Sequence, residues 1–202
     1  MPTQLDKQTW ICVGGGPSAP RWMPRAICDY PLATTITTNS GILLCVPDYY
    51  FIYDHVALPK FCRVAQVYQN YLKTSIVTLK YKREEVEATG LRVDHTVDQE
   101  QKLDRQGPLI DLNFSGLYSV IFALRHRAKV IVAVGNEGYA HAKNQPHHWD
   151  CEQPSGTHLG EYTQTYIAPW WQDTIRSCPK VKFRFYGQLN YSVSGPNVEV
   201  IA

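Results

Sequence analysis

The sequence predicts an α/β fold in which a mostly parallel sheet carries helices on both faces. Short apolar runs that end abruptly at glycine, asparagine or aspartate alternate with segments whose apolar residues recur every three or four positions. A run that is apolar throughout is typical of a strand covered on both faces, as in a parallel sheet. At 202 residues, the chain is expected to form one domain over residues 1–202.

Apolar or β-branched runs predict the strands, and helical periodicity predicts the helices. The predicted strands cover residues 10–13, 33–38, 49–53, 75–79, 129–134, 181–185 and 197–201. The predicted helices cover residues 58–72, 117–126 and 169–177. Prolines at positions 17, 20 and 24 predict only a short or broken helix after the first strand.

Two segments are expected to lie outside this regular alternation. Residues 80–108 are dense in charge and end in a Gln-Gly-Pro sequence, which predicts a solvated, irregular excursion or a mobile loop. Residues 140–160 are polar and rich in histidine, and we interpret them as an active-site loop.

The composition excludes several classes of protein. With 44% apolar residues and a net charge of +2, the chain fits neither whole-chain disorder nor nucleic-acid binding through bulk charge. No apolar run reaches the roughly 18 residues of a membrane span, and the polar N-terminal sequence predicts no secretory signal. The six cysteines are scattered, and Cys12, Cys45 and Cys62 lie in apolar stretches typical of buried thiols. We expect a cytoplasmic protein with reduced thiols, and the sequence is compatible with a homo-oligomer.

A glycine-rich turn, Gly14-Gly15-Gly16-Pro17-Ser18, follows the first predicted strand. Ligands of doubly wound sheets bind at the carboxyl ends of the strands. Consecutive glycines let backbone N–H groups approach an anion, and a serine can add its hydroxyl. Because the turn matches neither the dinucleotide fingerprint nor a Walker loop, a phosphate site and an ordinary tight turn both stay open.

Three further motifs end strands or begin a helix. Asn39 closes the second strand, and its Asn-Ser-Gly sequence suits either ligand contact or a turn. Ser115 suits an N-cap, whereas Gly116 costs up to ~1 kcal/mol in a first turn. Close approach by a phosphate or by another backbone would offset that cost. Glu137 follows the strand over 129–134 and places a carboxylate where a sugar hydroxyl or a metal could be held.

In this order the motifs resemble the superfamily that includes the bacterial family 42 sialyltransferases. They are also similar to the related domain of motility accessory factors and of archaeal MptE-type pterin pyrophosphokinases. The resemblance covers roughly residues 10–190, in scattered motifs. It implies a single Rossmann-like domain that binds a nucleotide or nucleotide-sugar at the strand ends.

The resemblance assigns roles to individual residues. Gly16, Pro17 and Ser18 match the family's nucleotide-binding turn, and Gly14 and Gly15, which precede them, are predicted to belong to the same nucleotide-binding loop. Asn39 matches the family's asparagine that touches the nucleotide, and Ser115 and Gly116 match its Ser-Gly near the phosphate. Glu137 takes the place of a family aspartate, Tyr139 matches a family tyrosine, and His158 falls where the family keeps its catalytic histidine.

The histidine-rich segment permits two chemical interpretations. A histidine at position 158 could take a proton from an acceptor hydroxyl, because the unperturbed imidazole pKa lies near 6.5. Alternatively, three side chains of the segment could bind a metal ion, although its spacing matches no standard zinc pattern. The candidate side chains are His141, His147, His148, Cys151 and His158. A solvated surface loop stays open as a third interpretation.

Three functional hypotheses follow. In the first, the chain is a glycosyltransferase-like enzyme that uses a CMP-sugar-like donor, needs no cofactor and modifies an unknown small-molecule or glycan acceptor. In the second, it is an MptE-like pyrophosphokinase that uses ATP and holds Mg²⁺ with Asp54 and Glu137. In the third, it is a nucleotide-binding or purely structural domain whose catalytic loop is degraded. Two departures from the family motivate this hypothesis: Gly15 replaces the asparagine before the Gly-Pro-Ser, and the match around His158 is weak.

Overall fold

Eight parallel strands form one sheet in the computed structural model, which describes residues 8–54, 57–98, 115–138 and 163–202. The strand order is β5-β4-β3-β2-β1-β6-β7-β8. In chain order, β1 to β8 are Thr9–Val13, Thr34–Thr38, Tyr49–Phe51, Ser75–Leu79, His95–Val97, Val130–Val134, Lys182–Tyr186 and Val198–Ile201. The prediction of a single α/β domain with a parallel sheet is confirmed, and the arrangement is Rossmann-like.

Five α-helices connect these strands within the described residues. In chain order, α1 to α5 are Ala19–Asp29, Ala57–Leu72, Arg83–Glu87, Ser115–Arg125 and Ala168–Ser177. A π-helical turn, Thr163–Ile167, leads into α5. Among the described helices, none has the length and apolar composition that a membrane span requires.

The helices cover both faces of the sheet, as predicted. Side chains of α4 and α5 pack on Trp10, Cys12 and Ile36 of the sheet. Side chains of α1 pack on Ile11 and Val13, which alternate with those residues along the same strand. Because successive strand residues point to opposite faces, α1 lies across the sheet from α4 and α5. These two apolar layers pack on the central strands and leave the loops that follow β1 and β6 outside the core.

The strand order reverses between β1 and β6, at the centre of the sheet. From β1 the chain adds β2 to β5 on one side, and after α4 it adds β6 to β8 on the other. The loops after β1 and β6 therefore leave the carboxyl edge in opposite directions and open a crevice between them. This switch point is where a doubly wound sheet binds its ligand.

The segment over 80–108 is more regular than its charge pattern predicted, as far as residue 98. It contains α3 and the edge strand β5. The Asp94 carboxylate accepts hydrogen bonds from the Ile76 N–H at 2.9 Å and from the Gln69 side chain at 3.1 Å, which ties β5 to its neighbours. These contacts join residues far apart in sequence, so local charge patterning could not reveal them. Residues 99–108 lie outside the described residues.

Helix α1 also corrects a prediction, because it runs for 11 residues through Pro24. Pro20 stands in its first turn, where a missing N–H costs nothing. Pro24 is exposed and removes one further hydrogen bond. Burial of Ala19, Met23 and Ala26 against the sheet outweighs that loss.

The cysteines differ in accessibility, and no disulfide joins any of the five that the structure describes. Cys12 is fully buried, and burial raises the pKa of its thiol to about 12. Cys45 and Cys62 are half-buried, whereas Cys28 is exposed. Cys151 lies outside the described residues.

We expect iodoacetamide to label Cys28 and to spare Cys12 in the folded protein near neutral pH. The thiolate is the reactive species, and a thiol with a pKa of about 12 is almost entirely protonated there. Peptide mass mapping before and after unfolding in urea checks the result. Labelling of Cys12 at the rate of Cys28 under native conditions would contradict the burial of β1.

Candidate functional site

The loops after β1 and β6 meet in a close backbone contact at the switch point. The Gly14 N–H donates to the Val134 carbonyl at 2.8 Å, and the Gly16 N–H donates to the Gly135 carbonyl at 2.9 Å. A Cβ at Gly14 would lie 2.3 Å from the Gly135 carbonyl oxygen. Glycine is therefore required at position 14 by the neighbouring backbone, and this requirement needs no ligand to explain it.

The Glu137 side chain fills the glycine turn from the β6 side. Its Oε1 accepts the Ser18 N–H at 2.8 Å, just before α1 begins. A Cβ at Gly16 would lie 2.3 Å from Glu137 Oε2, so the turn closes around the carboxylate. A carboxylate at a helix N-terminus interacts favourably with the helix dipole. Glu137 thus occupies the position that the sequence analysis expected a ligand phosphate to take.

The backbone donors of this turn are therefore largely committed to protein acceptors. The Ala19 N–H donates to the Gly16 carbonyl at 3.1 Å, and the Arg21 N–H donates to the Ser18 carbonyl at 3.0 Å. Pro17 and Pro20 have no N–H to offer. As folded, the N-terminus of α1 is a poor place for a phosphate.

Asn136 braces the same loop from inside the sheet. Its side-chain Nδ2 donates to the carbonyls of Cys12 at 3.0 Å and Val134 at 3.1 Å. The Tyr191 hydroxyl donates to the Asn136 carbonyl at 2.7 Å, and burial raises the pKa of this tyrosine. Sequence reasoning missed Tyr191, since it follows β7 by five residues and carries no motif.

A second cluster joins the end of β2 to the start of α4. Asn39 Nδ2 donates to Ser115 Oγ at 3.3 Å, and the side chains of Tyr53 and Ser115 share a hydrogen bond. The Tyr50 hydroxyl donates to the Asn39 carbonyl at 3.1 Å. Burial raises the pKa of both tyrosines, so their hydroxyls stay protonated. We call these side chains the Asn39–Ser115 junction.

The backbone of Asn39 adopts an unusual conformation. Its φ is +46°, in the left-handed region that asparagine tolerates better than most residues. Such conformations cost free energy and often occur at ligand-binding positions. At Asn39 this conformation accompanies the side-chain contact with α4.

Four polar atoms at this edge of the sheet are buried without a hydrogen-bond partner among the residues that the structure describes. They are Ser18 Oγ, Asn39 Oδ1, Asn136 Oδ1 and Glu137 Oε2. Buried polar atoms are nearly always paired in folded proteins, so each of these atoms can accept a partner from beyond the described residues, such as a ligand or water. Three of the four are oxygens that can only accept, which favours a ligand rich in N–H or O–H donors.

An open cleft of about 530 Å³ lies beside the glycine turn, on the side of β7. Its walls include Ser18, Arg21 and Trp22 at the start of α1, Glu137 after β6, and Asn190 after β7. The volume is within the range of small-molecule sites in proteins. The sequence analysis did not single out Arg21, Trp22 or Asn190, because they become neighbours only when β6 and β7 pair.

The remaining predicted site residues fall into two groups. Gly116 is buried in the first turn of α4, and its carbonyl accepts a hydrogen bond from Ser119 Oγ at 2.7 Å. Tyr139 and His158 lie outside the described residues. The same holds for the other candidate ligands of the histidine-rich segment, which are His141, His147, His148 and Cys151. Among the described residues no cluster of three acidic, histidine or cysteine side chains could hold a metal ion.

The two carboxylates proposed for Mg²⁺ do not converge. Asp54 follows β3 and Glu137 follows β6, so the two lie three strand spacings, or roughly 14 Å, apart across the sheet. The Glu137 carboxylate is turned away toward Ser18. A single Mg²⁺ held by both side chains would need the loop after β6 to rearrange.

Neither the family models, the curated proteins nor the solved structures provided a match to this chain.

Proposed function

We propose that the chain is a nucleotide-dependent transferase, with a nucleotide-sugar of the CMP-sugar class as donor, and that its nucleotide binds at the Asn39–Ser115 junction. The observation that carries this proposal is the 3.3 Å contact between Asn39 and Ser115, which are 76 positions apart. The resemblance assigns both residues to one nucleotide. Two side chains that contact each other can also contact one small ligand.

The chemistry of the junction supports a nucleotide. The first N–H groups of a helix have no partner within it, and together with the helix dipole they favour an anion such as a phosphate. Helix α4 presents this end beside Asn39. The buried Asn39 Oδ1 can accept a hydrogen bond from a ribose hydroxyl or a base amino group. In this proposal the phosphate lies at α4 rather than at α1. Just before α1 the Ser18 N–H is bound to Glu137, and the Ala19 N–H is bound to the Gly16 carbonyl.

The transfer step is assigned by resemblance alone. His158 would deprotonate the acceptor, and Tyr139 would stand beside the donor. Glu137 acts in this proposal as a positioning residue, because its Oε1 holds the turn before α1. A leaving nucleotide monophosphate can be stabilised by hydroxyls and N–H groups, so the proposal requires no metal ion.

A thermal-shift panel of CMP, CDP, UDP, GDP and ATP, with and without Mg²⁺, tests the proposal. We expect a nucleotide at 100 times its Kd to add about 2.7 kcal/mol to the free energy of unfolding, and a cytidine nucleotide to do so without Mg²⁺. A shift with ATP that a chelator abolishes would favour the pyrophosphokinase hypothesis. The absence of a shift with every nucleotide would overturn the proposal.

The variant Asn39→Gly is expected to weaken nucleotide binding at least about tenfold, or ~1.4 kcal/mol. Glycine keeps the positive φ and removes only the side chain, so the fold should be retained. Asn70→Gly, at an exposed position near the end of α2, is the matched control and should bind as the wild type does. Titration calorimetry of both variants measures the difference. Equal affinity of the two variants would remove the junction from the binding site.

A further inference from the structure

The cleft beside the glycine turn contains a buried acceptor that the fold leaves unused. Glu137 is only 4% exposed, and its Oε2 has no hydrogen-bond partner among the described residues. Its other oxygen accepts the Ser18 N–H, which explains why a carboxylate stands here. It does not explain why the second oxygen, which packs against Gly16 at the edge of the cleft, has no partner among the described residues. A buried charge without a full set of partners is costly. A ligand that brings donors and positive charge would offset that cost.

The wall formed by α1 offers a second and a third recognition element. Ser18 Oγ is also buried without a partner and borders the same cleft. Arg21 lies three residues further along α1, on the same side of the helix, and is exposed. Its guanidinium lies 5.2 Å from the centre of the Trp22 ring and pairs with no carboxylate among the described residues. The cleft therefore carries negative charge inside and positive charge at its mouth.

We propose that this cleft binds a small zwitterion of the α-amino acid class. On binding, the Glu137 and Ser18 side chains would turn their buried Oε2 and Oγ toward the cleft, where both would accept from the ligand's ammonium. The ligand's carboxylate would pair with the Arg21 guanidinium. Trp22 and the side chain of Gln188 would border the rest of the ligand. A neutral hydroxyl could also bond to Oε2, but it would leave the buried charge uncompensated, which is why we favour an ammonium.

The inference is independent of the nucleotide site, because it uses no residue of the Asn39–Ser115 junction. It adds a second ligand to the same edge of the sheet, on the other side of β1. An amino acid bound there would be placed as a candidate acceptor or effector. Nucleotide binding without amino-acid binding would overturn this inference alone, and the reverse result would overturn only the nucleotide proposal.

The test compares L-amino acids with their α-hydroxy acid counterparts, such as L-alanine with L-lactate and L-phenylalanine with L-phenyllactate. Each pair differs only in the ammonium, so calorimetric titration of the intact chain isolates its contribution. We expect at least one amino acid to bind about tenfold or more tightly than its hydroxy acid. The absence of binding by every amino acid, or equal binding of both members of each pair, would overturn the proposal.

Two variants locate the site. Glu137→Gln keeps an oxygen for the Ser18 N–H and removes the charge, and it should weaken amino-acid binding at least about tenfold. Arg21→Gln changes an exposed side chain, so it stays informative if the first variant folds poorly, and it should also weaken binding. Glu84→Gln, on the exposed face of α3, is the matched control and should change nothing. Wild-type affinity in Arg21→Gln and Glu137→Gln would place the amino acid elsewhere and overturn the proposal.

Discussion

Replacing Gly14 with alanine is expected to lower the free energy of unfolding by about 3 kcal/mol. The new Cβ would lie 2.3 Å from the Gly135 carbonyl oxygen and 3.0 Å from Asn136 Oδ1. The closest atom belongs to the backbone, so it cannot move aside as a flexible side chain would. The loops after β1 and β6 would have to separate, which would break the hydrogen bond from Gly16 to Gly135.

Urea denaturation measures this effect, and the melting temperature should fall by roughly 6–12 °C for a chain of this size. Gly41→Ala is the control, because its Cβ would approach no closer than 3.2 Å, to the Val13 carbonyl oxygen. We expect that variant to lower the free energy of unfolding by clearly less than Gly14→Ala does, because a closest contact of 3.2 Å rather than 2.3 Å needs only a small shift of the neighbouring backbone. Equal stability of the two variants would mean that the loops after β1 and β6 do not meet as described.

Replacing Glu137 with alanine is expected to lower the free energy of unfolding by about 2–3 kcal/mol. The Ser18 N–H would lose its acceptor, and the glycine turn would lose the side chain that fills it. Glu137→Gln keeps an oxygen for that N–H and removes the buried charge. We expect it to stay within about 1 kcal/mol of the wild type, since the lost attraction to the helix dipole opposes the relief of desolvation.

The difference in free energy of unfolding between these two variants distinguishes the hydrogen bond to the Ser18 N–H from the charge of the carboxylate. Both are compared by urea denaturation in the absence of ligand. A glutamine variant as unstable as the alanine variant would show that the charge itself stabilises the turn. An alanine variant as stable as the wild type would show that the Ser18 N–H needs no acceptor, which would contradict the capping role of Glu137.

The regular elements were largely predictable because their signal is local. Seven of the eight strands coincide with predicted apolar or β-branched runs, within one or two residues at each end. The eighth, β5, has three residues in a charged segment, and its pairing with β4 is what makes it a strand. Helix α1 was underestimated because proline reduces helix propensity locally, whereas burial of its apolar face acts through the sheet.

The candidate site was predictable only in part. Strand alternation and the resemblance together predicted that Asn39 and Ser115 lie at the same edge of the sheet. The structure adds their direct contact. The sequence did not predict the cleft of Ser18, Arg21 and Glu137. Its walls come from the start of α1 and from the loops after β6 and β7. No local pattern relates side chains contributed by three separate elements.

The sequence by itself determined where the chain extends, where it turns, and that its glycine turn and its polar strand ends lie at one edge of a parallel sheet. Those properties depend on apolar runs and on residues with special backbone freedom, and both are readable within a few positions. Only the tertiary structure decided that Glu137 occupies the glycine turn, since its contact with Ser18 spans 119 positions. The pairing of β1 with β6 brings these two residues together. At the turn where the sequence suggested a phosphate, the structure instead has the Glu137 carboxylate before α1, beside an open cleft.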